Sequence, residues 1–295
     1  MSESYGTECQ LCVDSAAQIG TSSIPIIIDS FSSGDSVDIL SENGMTGSRS
    51  QRAERVREGN GTYQFQLGMS FTPTSMAFFL QYILGGTPSG TSYALAESLP
   101  SFVTCVDLVA KVITYSGCKI SRATFTGSKG SPMIKASLDC MATGRSVGNA
   151  GTFPSLTTPT DPPYVFAEAV MTLQSASRQM SDFTLTIDNA VQPNEANEQF
   201  PSELNSTDRI ITLECTSPFN STEIDLFNQA VAGAAGSLVL TNGGYSTTFT
   251  FGNLKAKRNM PGVSGKTARI PQKVSMQAFQ TGSTKELAVT HDSTA

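Results

Sequence analysis

The segment PTSMAFFLQYILGG, residues 73–86, has the layout of a short amphipathic helix set between strands. A proline opens it, as the first helical turn permits, and two glycines close it. Its large apolar residues recur at helical spacing and share one face: Met76, Phe79, Leu80 and Ile83. The segment therefore predicts one short helix with a face to bury.

A second segment, STEIDLFNQAVAG at 221–233, repeats this layout. Asn220 is placed to cap it, Ile224, Phe227 and Val231 share one face, and Gly233 supplies the stop. A shift of 148 residues superimposes the two segments and gives five identities in the 23 positions from residue 63 to residue 85. The repeated layout predicts a chain built from two copies of one unit; the alternative is that strand, helix and hairpin recur by chance.

The flanks of the two segments follow the same order of alternating, strand-like runs. In the first copy these runs are 24–31, 62–71, a hairpin at 102–120, and 133–142. In the second copy they are 182–190, 209–219, a hairpin at 237–253 turning on Asn242-Gly243, and 272–279. One short helix cannot cover both faces of such a sheet. The predicted fold is therefore mainly β, with two tandem β-barrel or sandwich modules, each flanked by one α-helix.

The predicted organisation has five parts, and the modules contain two long polar loops, 31–61 and 190–208, of the length that is usually functional. Segment 143–163 is rich in Gly, Ser, Thr and Pro and is typical of a linker. The five parts are an N-terminal extension 1–19, module 1 at 20–142, the linker 143–163, module 2 at 164–279, and a loose polar C-terminal tail 280–295.

Composition narrows the function. The net charge is −6, so the overall balance does not indicate a nucleic-acid or membrane-surface binder. No apolar run approaches the ~20 residues of a membrane-spanning helix, and acids stand where a signal peptide carries bases. These features predict synthesis in a cytoplasm and no stable membrane association.

Residue types used in catalysis are sparse. Cys9-x-x-Cys12 could form half a zinc site, but no second such pair follows, so two incidental thiols are the favoured interpretation. All six cysteines are expected to be free thiols. The only histidine, His291, lies in the polar tail, and no phosphate-binding glycine loop is present. We therefore predict no enzyme and no catalytic, cofactor-binding or metal-binding residues.

Charge is organised in blocks. Residues 182–225 carry nine acids and one base, Arg209. Residues 226–285 carry seven bases and no acid: Lys255, Lys257, Arg258, Lys266, Arg269, Lys273 and Lys285. A further basic group lies in 48–58. Complementary surfaces that join subunits head to tail, nucleic-acid binding, and plainly solvated faces are the three interpretations.

The quoted phrases resemble the phage tail tube proteins of the duplicated kind. The resemblance covers roughly residues 20–279. It rests on SDFTLTIDNAVQP, TDRIITLECTSPF, GSLVLTNGGYSTTFTFGNLK and KVSMQAF in the second half, and on GNGTYQFQLGMSF, FFLQYILGG and YSGCKISRATF in the first. The N-terminal extension and the arginine-rich 48–58 segment depart from the pattern of that family.

The resemblance implies a structural virion protein, made in the host cytoplasm, that assembles into stacked rings. Three chains would give six modules per ring around a bore that carries DNA to the host. It further implies tape-measure, tail-terminator and baseplate or tip proteins as partners. We expect the polar faces of strands to line the bore and Lys255–Lys273 to lie mostly at contacts or outside. The alternatives are another self-assembling β protein of a baseplate, capsid or secretion tube, or a two-domain binding module.

Overall fold

A computed structural model describes residues 6–15, 18–41, 50, 53–194, 197–220, 233–256, 262–263 and 270–293. Within that part of the chain, strands dominate and one α-helix occurs, α1 (Pro73–Leu84), so the predicted mainly-β class is confirmed. Short 3-10 turns lie at Gly6–Glu8, Ala53–Arg55 and Phe166–Glu168. No helix of the described part is long and apolar enough to cross a membrane.

Each half of the chain contributes ten of the described strands. The first half has β1 (Gln10–Asp14), β2 (Ile24–Ile26), β3 (Ser30–Ser33), β4 (Ser36–Ser41), β5 (Val56–Ser70), β6 (Ser92–Ala94), β7 (Phe102–Asp107), β8 (Lys111–Ser128), β9 (Lys135–Ala142) and β10 (Gly144–Asn149). The second half has β11 (Ala169–Leu173), β12 (Ala176–Arg178), β13 (Asp182–Asp188), β14 (Val191–Pro193), β15 (Leu204–Ser206), β16 (Ile210–Pro218), β17 (Ala234–Asn242), β18 (Tyr245–Ala256), β19 (Pro271–Ala278) and β20 (Leu287–Asp292).

The helix α1 forms where the sequence predicts it. Thr72 and Ser75 close a reciprocal capping box, Pro73 opens the first turn, and Gly85 ends the helix at φ 88°. The Gly85 N–H donates to the Gln81 carbonyl at 2.8 Å. Its counterpart, the expected helix at 222–232, lies outside the described residues.

Burial of α1 differs from the predicted single stripe. Phe78 and Tyr82 are buried as well as Phe79 and Ile83, so apolar contact surrounds most of the helix. The reason is that strands cover it from more than one side: it contacts β8, β6 and β20, the last from the opposite end of the chain.

The strands of the two halves pair in the same order. In the first half, β3, β5, β9 and β8 lie side by side, and β8 continues through β7 to β1 and β2. In the second half, β13, β16, β19 and β18 lie side by side, and β18 continues through β17 to β11 and β12. Each half adds one more strand to its hairpin, β10 on β8 and β20 on β18.

The registers also agree. Phe31 opposite Leu67 in the first half corresponds to Phe183 opposite Cys215 in the second, and Phe65 opposite Cys140 corresponds to Leu213 opposite Met276. Both hairpins break register at the same place, between Phe102 and Thr104 in β7 and between Ala234 and Gly236 in β17. A one-residue slip would turn every side chain to the wrong face, so matching registers mean matching cores.

The halves are joined through strands. The distal part of β8 pairs with β13, from Arg122 opposite Asp188 to Ser128 opposite Asp182. The result is one antiparallel sheet with the order β3-β5-β9-β8-β13-β16-β19-β18. One large apolar cluster runs under both halves, with Leu67 and Phe125 at one end and Leu213 and Phe249 at the other.

Three segments expected at the margins belong to the folded sheet. The expected N-terminal extension contains β1, whose Leu11, Cys12 and Val13 are buried. The expected linker contains β10, paired with β8 along Gly144–Asn149. The expected loose tail contains β20, which pairs with β18 and β6. All three segments are short and polar in character, and only tertiary pairing reveals them as strands.

The two long polar loops contain strands as well. The 31–61 segment holds β4 and the beginning of β5, which pair with each other. The 190–208 segment holds the small hairpin β14–β15. The predicted strand at 24–31 is divided in two, β2 and β3, which pair with different partners, β1 and β5.

Candidate assembly surface

The continuous sheet has one face turned away from the core, called the open face here. Directly opposed residues share a face of a sheet. One row of such residues crosses all eight strands and defines the open face: Ser30, Gly68, Ser137, Thr124, Thr186, Thr212, Gln277 and Lys255. The neighbouring inward row is apolar, with Met69, Ala136, Phe125, Leu185, Leu213 and Met276. The open face is therefore rich in hydroxyl and amide groups.

Several charges on the open face are paired with a charge of opposite sign. Arg122 donates to Asp188 from both Nε, at 3.0 Å, and Nη2, at 2.6 Å. That hydrogen bond and the charge of Asp188 raise the pKa of Arg122. Lys135 lies 2.8 Å from Asp29, and Lys273 lies 3.3 Å from Glu214. Such exposed pairs contribute little stability, roughly 0–1 kcal/mol each, but they leave the face locally neutral.

The structure places several residues of the acidic and basic blocks on the same face of the sheet. From the acidic block, Asp182, Asp188 and Glu214 lie on the open face. From the basic block, Lys255 and Lys273 lie on the same face, and Lys285 pairs with Glu97 at 2.8 Å. Lys257, Arg258, Lys266 and Arg269 lie outside the described residues. The open face therefore mixes both signs of charge.

One edge of the sheet is unpaired among the described residues. β3 pairs with β5 only, whereas its counterpart β13 is flanked on both sides, by β16 and β8. The Asn189 N–H donates to the Ser121 carbonyl at 2.7 Å, so the odd-numbered residues of β13 bond to β8. The counterparts of Phe183 and Leu185 are Phe31 and Ser33, whose backbone groups therefore point to the free side. Such an edge is a template for another strand.

A hairpin projects next to this edge. We call it the arm: β4 together with residues 56–62 of β5. Its base is fixed by Asp35, whose carboxylate accepts from the Tyr115 hydroxyl at 2.9 Å and from Arg145 at 2.8 Å. Burial raises the pKa of Tyr115 to about 12, so it remains a donor. The arm exposes several large apolar residues: Val37, Ile39, Leu40 and Val56.

The corresponding segment of the second half is covered. The second-half loop, residues 189–209, follows β13 as the arm follows β3, and it lies on the first half. Phe200 stacks on Tyr63 with ring centroids 4.6 Å apart and planes inclined by 6°. The Gly61 N–H donates to the Gln199 carbonyl at 2.8 Å, and the Lys119 ammonium donates to the Leu204 carbonyl at 2.7 Å. Its side chains Val191 and Leu204 are buried against Leu99 and Met141.

The only histidine of the sequence, His291, lies in a buried site. His291 is 2% exposed, whereas the sequence predicts that it lies in a loose polar tail. Its Nδ1 lies 2.9 Å from the Thr247 hydroxyl, and its Nε2 lies 3.1 Å from the Pro73 carbonyl. Burial lowers its pKa, so the ring is neutral near pH 7. Buried between a strand and the start of α1, His291 links the C-terminal strand to the helix.

The two N-terminal thiols are separated in the fold. Cys12 is buried opposite Cys105 across β1 and β7, while Cys9 lies before β1 and is partly exposed. A hydrogen bond from the Cys12 thiol lowers the pKa of Cys105 to about 7 and raises the pKa of Cys12. No cluster of three or more His, Cys, Asp or Glu that could hold a metal occurs among the described residues.

Sequence reasoning missed both parts of this surface, the free edge and the apolar arm. The signal for the arm was present in Ser36–Ser41, where Val37, Ile39 and Leu40 interrupt a polar stretch. The signal for the edge required the pairing of β8 with β13, which no local pattern contains.

A continuous sheet with an unpaired edge, an arm that exposes large apolar side chains and a polar open face is typical of a structural β protein that associates with further chains. Comparison with known families gives the particular class. The chain belongs to the phage tail tube protein family, because the model of that family matches residues 4–278. No curated protein matches the chain. Membership makes the protein a structural component of a phage tail.

Proposed function

We propose that this protein forms the hollow tail tube as stacked rings, with three chains supplying six modules to each ring, and that DNA passes through the bore to the host. The observation that carries the proposal is the junction of β8 with β13 inside one chain. It joins the first half to the second through strands, and the equal registers of the halves support a module that is repeated within the chain. The same junction can therefore recur between chains.

The free ends of the sheet match that junction. β3 is the counterpart of β13. The distal part of β8 corresponds in the repeat to residues 258–264, which follow β18 and, except for 262–263, lie outside the described residues. If this continuation of β18 in one copy meets β3 of the next as β8 meets β13, each chain continues the sheet of its neighbour. Such head-to-tail contacts close into a ring or continue as a filament. Ring closure removes the two free edges of this eight-stranded sheet, which is the most effective protection of those edges against indiscriminate strand pairing.

Strand number supports six modules. Each module supplies four strands to the sheet, so six modules give about 24 strands in a closed barrel. At ~4.8 Å between strands and ~40° of tilt, the backbone circle is about 48 Å across. Side chains fill about 5 Å on each side, which leaves a bore of roughly 38 Å, wide enough for a DNA double helix. Two chains, with about 16 strands, would leave only about 22 Å.

The open face suits the wall of that bore. Its hydroxyl and amide side chains carry no charge, and several of its charged groups lie in pairs such as Arg122–Asp188 and Lys273–Glu214. A wall without a net positive field holds few phosphates, so DNA slides past it. With this face as the wall, Lys273 lines the bore, although we expect the basic block to lie mostly at contacts or outside. The role is mechanical, without catalysis.

Assembly of the tail then involves tape-measure protein in the bore, a tail-terminator protein at one end and baseplate or tip proteins at the other. Synthesis takes place in the host cytoplasm and the mature protein resides in the virion.

Electron microscopy of the purified, concentrated protein and of its tubes tests the proposal. We expect rings of three chains with two modules each, stacked into a hollow tube, and native mass spectrometry should detect trimers. A density map in which β3 is unpaired, or in which the open face lies on the outer surface of the tube, would refute it.

A further inference from the structure

We propose that the arm of one copy packs onto the second half of the neighbouring copy in the ring. It would occupy the place that the second-half loop occupies on the first half within one chain. The occupant of this surface is thus a second copy of the same chain. The inference rests on the ring of the proposed function and adds a specific contact to it.

The contrast between the two equivalent segments carries the inference. Both leave the strand at the junction edge, β3 or β13, and both return along the next strand, β5 or β16. Val191 and Leu204 of the second-half loop are 5% and 1% exposed. Ile39 and Leu40 of the arm are 74% and 59% exposed. The second-half loop is therefore covered by protein, whereas the equivalent apolar side chains of the arm are exposed. The reason is that the second half follows another half in the same chain, and the first half does not.

The covered case shows what the arm should meet. The second-half loop rests on β5, β9 and β8 of the first half, where Lys119 donates to the Leu204 carbonyl and Met141 borders Leu204. The equal registers make Lys255 the counterpart of Lys119 and Gln277 the counterpart of Met141. Within the described residues, Lys255 forms no hydrogen bond or ion pair, so its ammonium is available to a carbonyl of the arm.

Exposed apolar residues near Lys255 add to the surface of the second half that the arm would contact. Ile210 and Phe279 are both exposed on the second half, close to the ends of β16 and β19. Burial of Ile39 and Leu40 against them would remove apolar area on both copies from water. The arm and β3 would then contact the same neighbouring copy, β3 by strand pairing and the arm by apolar packing.

Photo-crosslinking identifies the occupant directly. Ile39 is replaced with p-benzoylphenylalanine in the full chain, and heavy-isotope and light chains are mixed before assembly, so that links between chains can be recognised by mass spectrometry. We expect links between chains, from position 39 to residues 204–218 or 253–279. Links within one chain, or links to the first half of another copy, would overturn the proposal.

The double variant Ile39→Ser/Leu40→Ser measures the strength of the contact. Because both residues are exposed in the single chain, its melting temperature should not change. The protein concentration required for ring assembly should rise about tenfold or more, since two large apolar side chains no longer become buried. Val147→Ser, an equally exposed apolar site on β10 outside the arm, serves as the matched control.

The outcomes separate this inference from the proposed function. If the unmodified protein forms no rings, the proposed function fails. If it forms rings and the double variant assembles at the same concentration as Val147→Ser, only the arm contact is wrong.

Discussion

Proline substitution at two adjacent positions of β3 separates folding of the chain from association between chains. In β3, the Gly34 N–H donates to the Gln64 carbonyl at 2.8 Å, which places residue 34 in a pair directed at β5. Backbone direction alternates along a strand, so Ser32 also bonds to β5 and Ser33 points to the free side. Because proline lacks an N–H, it is tolerated in a sheet only at an edge position whose N–H would point away from the neighbouring strand, as at Ser33.

The magnitude follows from the short length of β3. Across its four residues, only Phe31 and Ser33 direct backbone groups outward, so at most four hydrogen bonds join it to another chain. Ser33→Pro removes one donor, and its ring keeps the incoming strand from a second bond. At roughly 0.5–1.5 kcal/mol per bond, each junction loses about 1–3 kcal/mol. The concentration required for assembly should therefore rise by roughly 5- to 150-fold.

Two assays compare the variants. Urea unfolding of the single chain should show Ser33→Pro within about 1 kcal/mol of the parent, since the Ser33 hydroxyl makes only two long hydrogen bonds, with the Tyr115 hydroxyl at 3.2 Å and from the Asp35 N–H at 3.4 Å. Ser32→Pro removes an N–H that bonds to β5, so this variant should lose clearly more stability than Ser33→Pro. Sedimentation then measures assembly as a function of concentration. The reasoning is refuted if Ser33→Pro folds normally and forms rings at the same concentration as the parent.

Three further outcomes are expected. Phe79→Ala should cost about 3–5 kcal/mol in urea unfolding, because Phe79 is 2% exposed against Phe78 and Phe102, and a loss under 1 kcal/mol would mean that the helix repacks freely. Burial lowers the folded-state pKa of His291 below its unfolded value. The contribution of His291 to stability should therefore be complete above about pH 6.5 and fall as the pH drops through that value. His291→Gln should flatten this dependence in melting curves measured between about pH 5 and pH 8. Gly61→Ala should loosen the second-half loop, because a Cβ at this position would overlap the Phe200 ring, and faster proteolysis within 189–209 than in the parent is the measure; equal rates would contradict it.

Local patterns predicted the elements that satisfy their own hydrogen bonds or alternate over a long run. Helix α1 carries its capping box and its stop in its own sequence, and the hairpin β17–β18 turns at Gly243 with φ 59°. Strands such as β13 and β16 alternate strictly in burial over seven residues or more. In each case periodicity and turn chemistry agree, so the sequence is sufficient.

Elements stabilised from a distance were not predictable in that way. β10 begins at Gly144 and β20 ends near a polar terminus, and each is a strand only because the hairpin of its own half offers it an edge. β1 carries just five residues and gains its burial from β7, about ninety residues later. Burial of His291 likewise depends on Thr247 and Pro73, neither of which is near it in sequence.

In the proposed ring, the junction within a chain and the junction between chains differ in strength. β13 meets β8 over seven residue pairs inside one chain, whereas β3 offers four residues to a neighbour. The longer junction forms within the chain at a high effective concentration, and it is therefore complete before any second copy arrives. A short edge is also the usual protection of a monomer against uncontrolled strand addition. Because four residues alone bind weakly, association between chains needs a second contact that appears only when the correct neighbour is in place. The arm beside β3 has the position and the apolar surface for that contact, so in the proposed ring the short edge and the exposed hairpin would act together in ordered assembly.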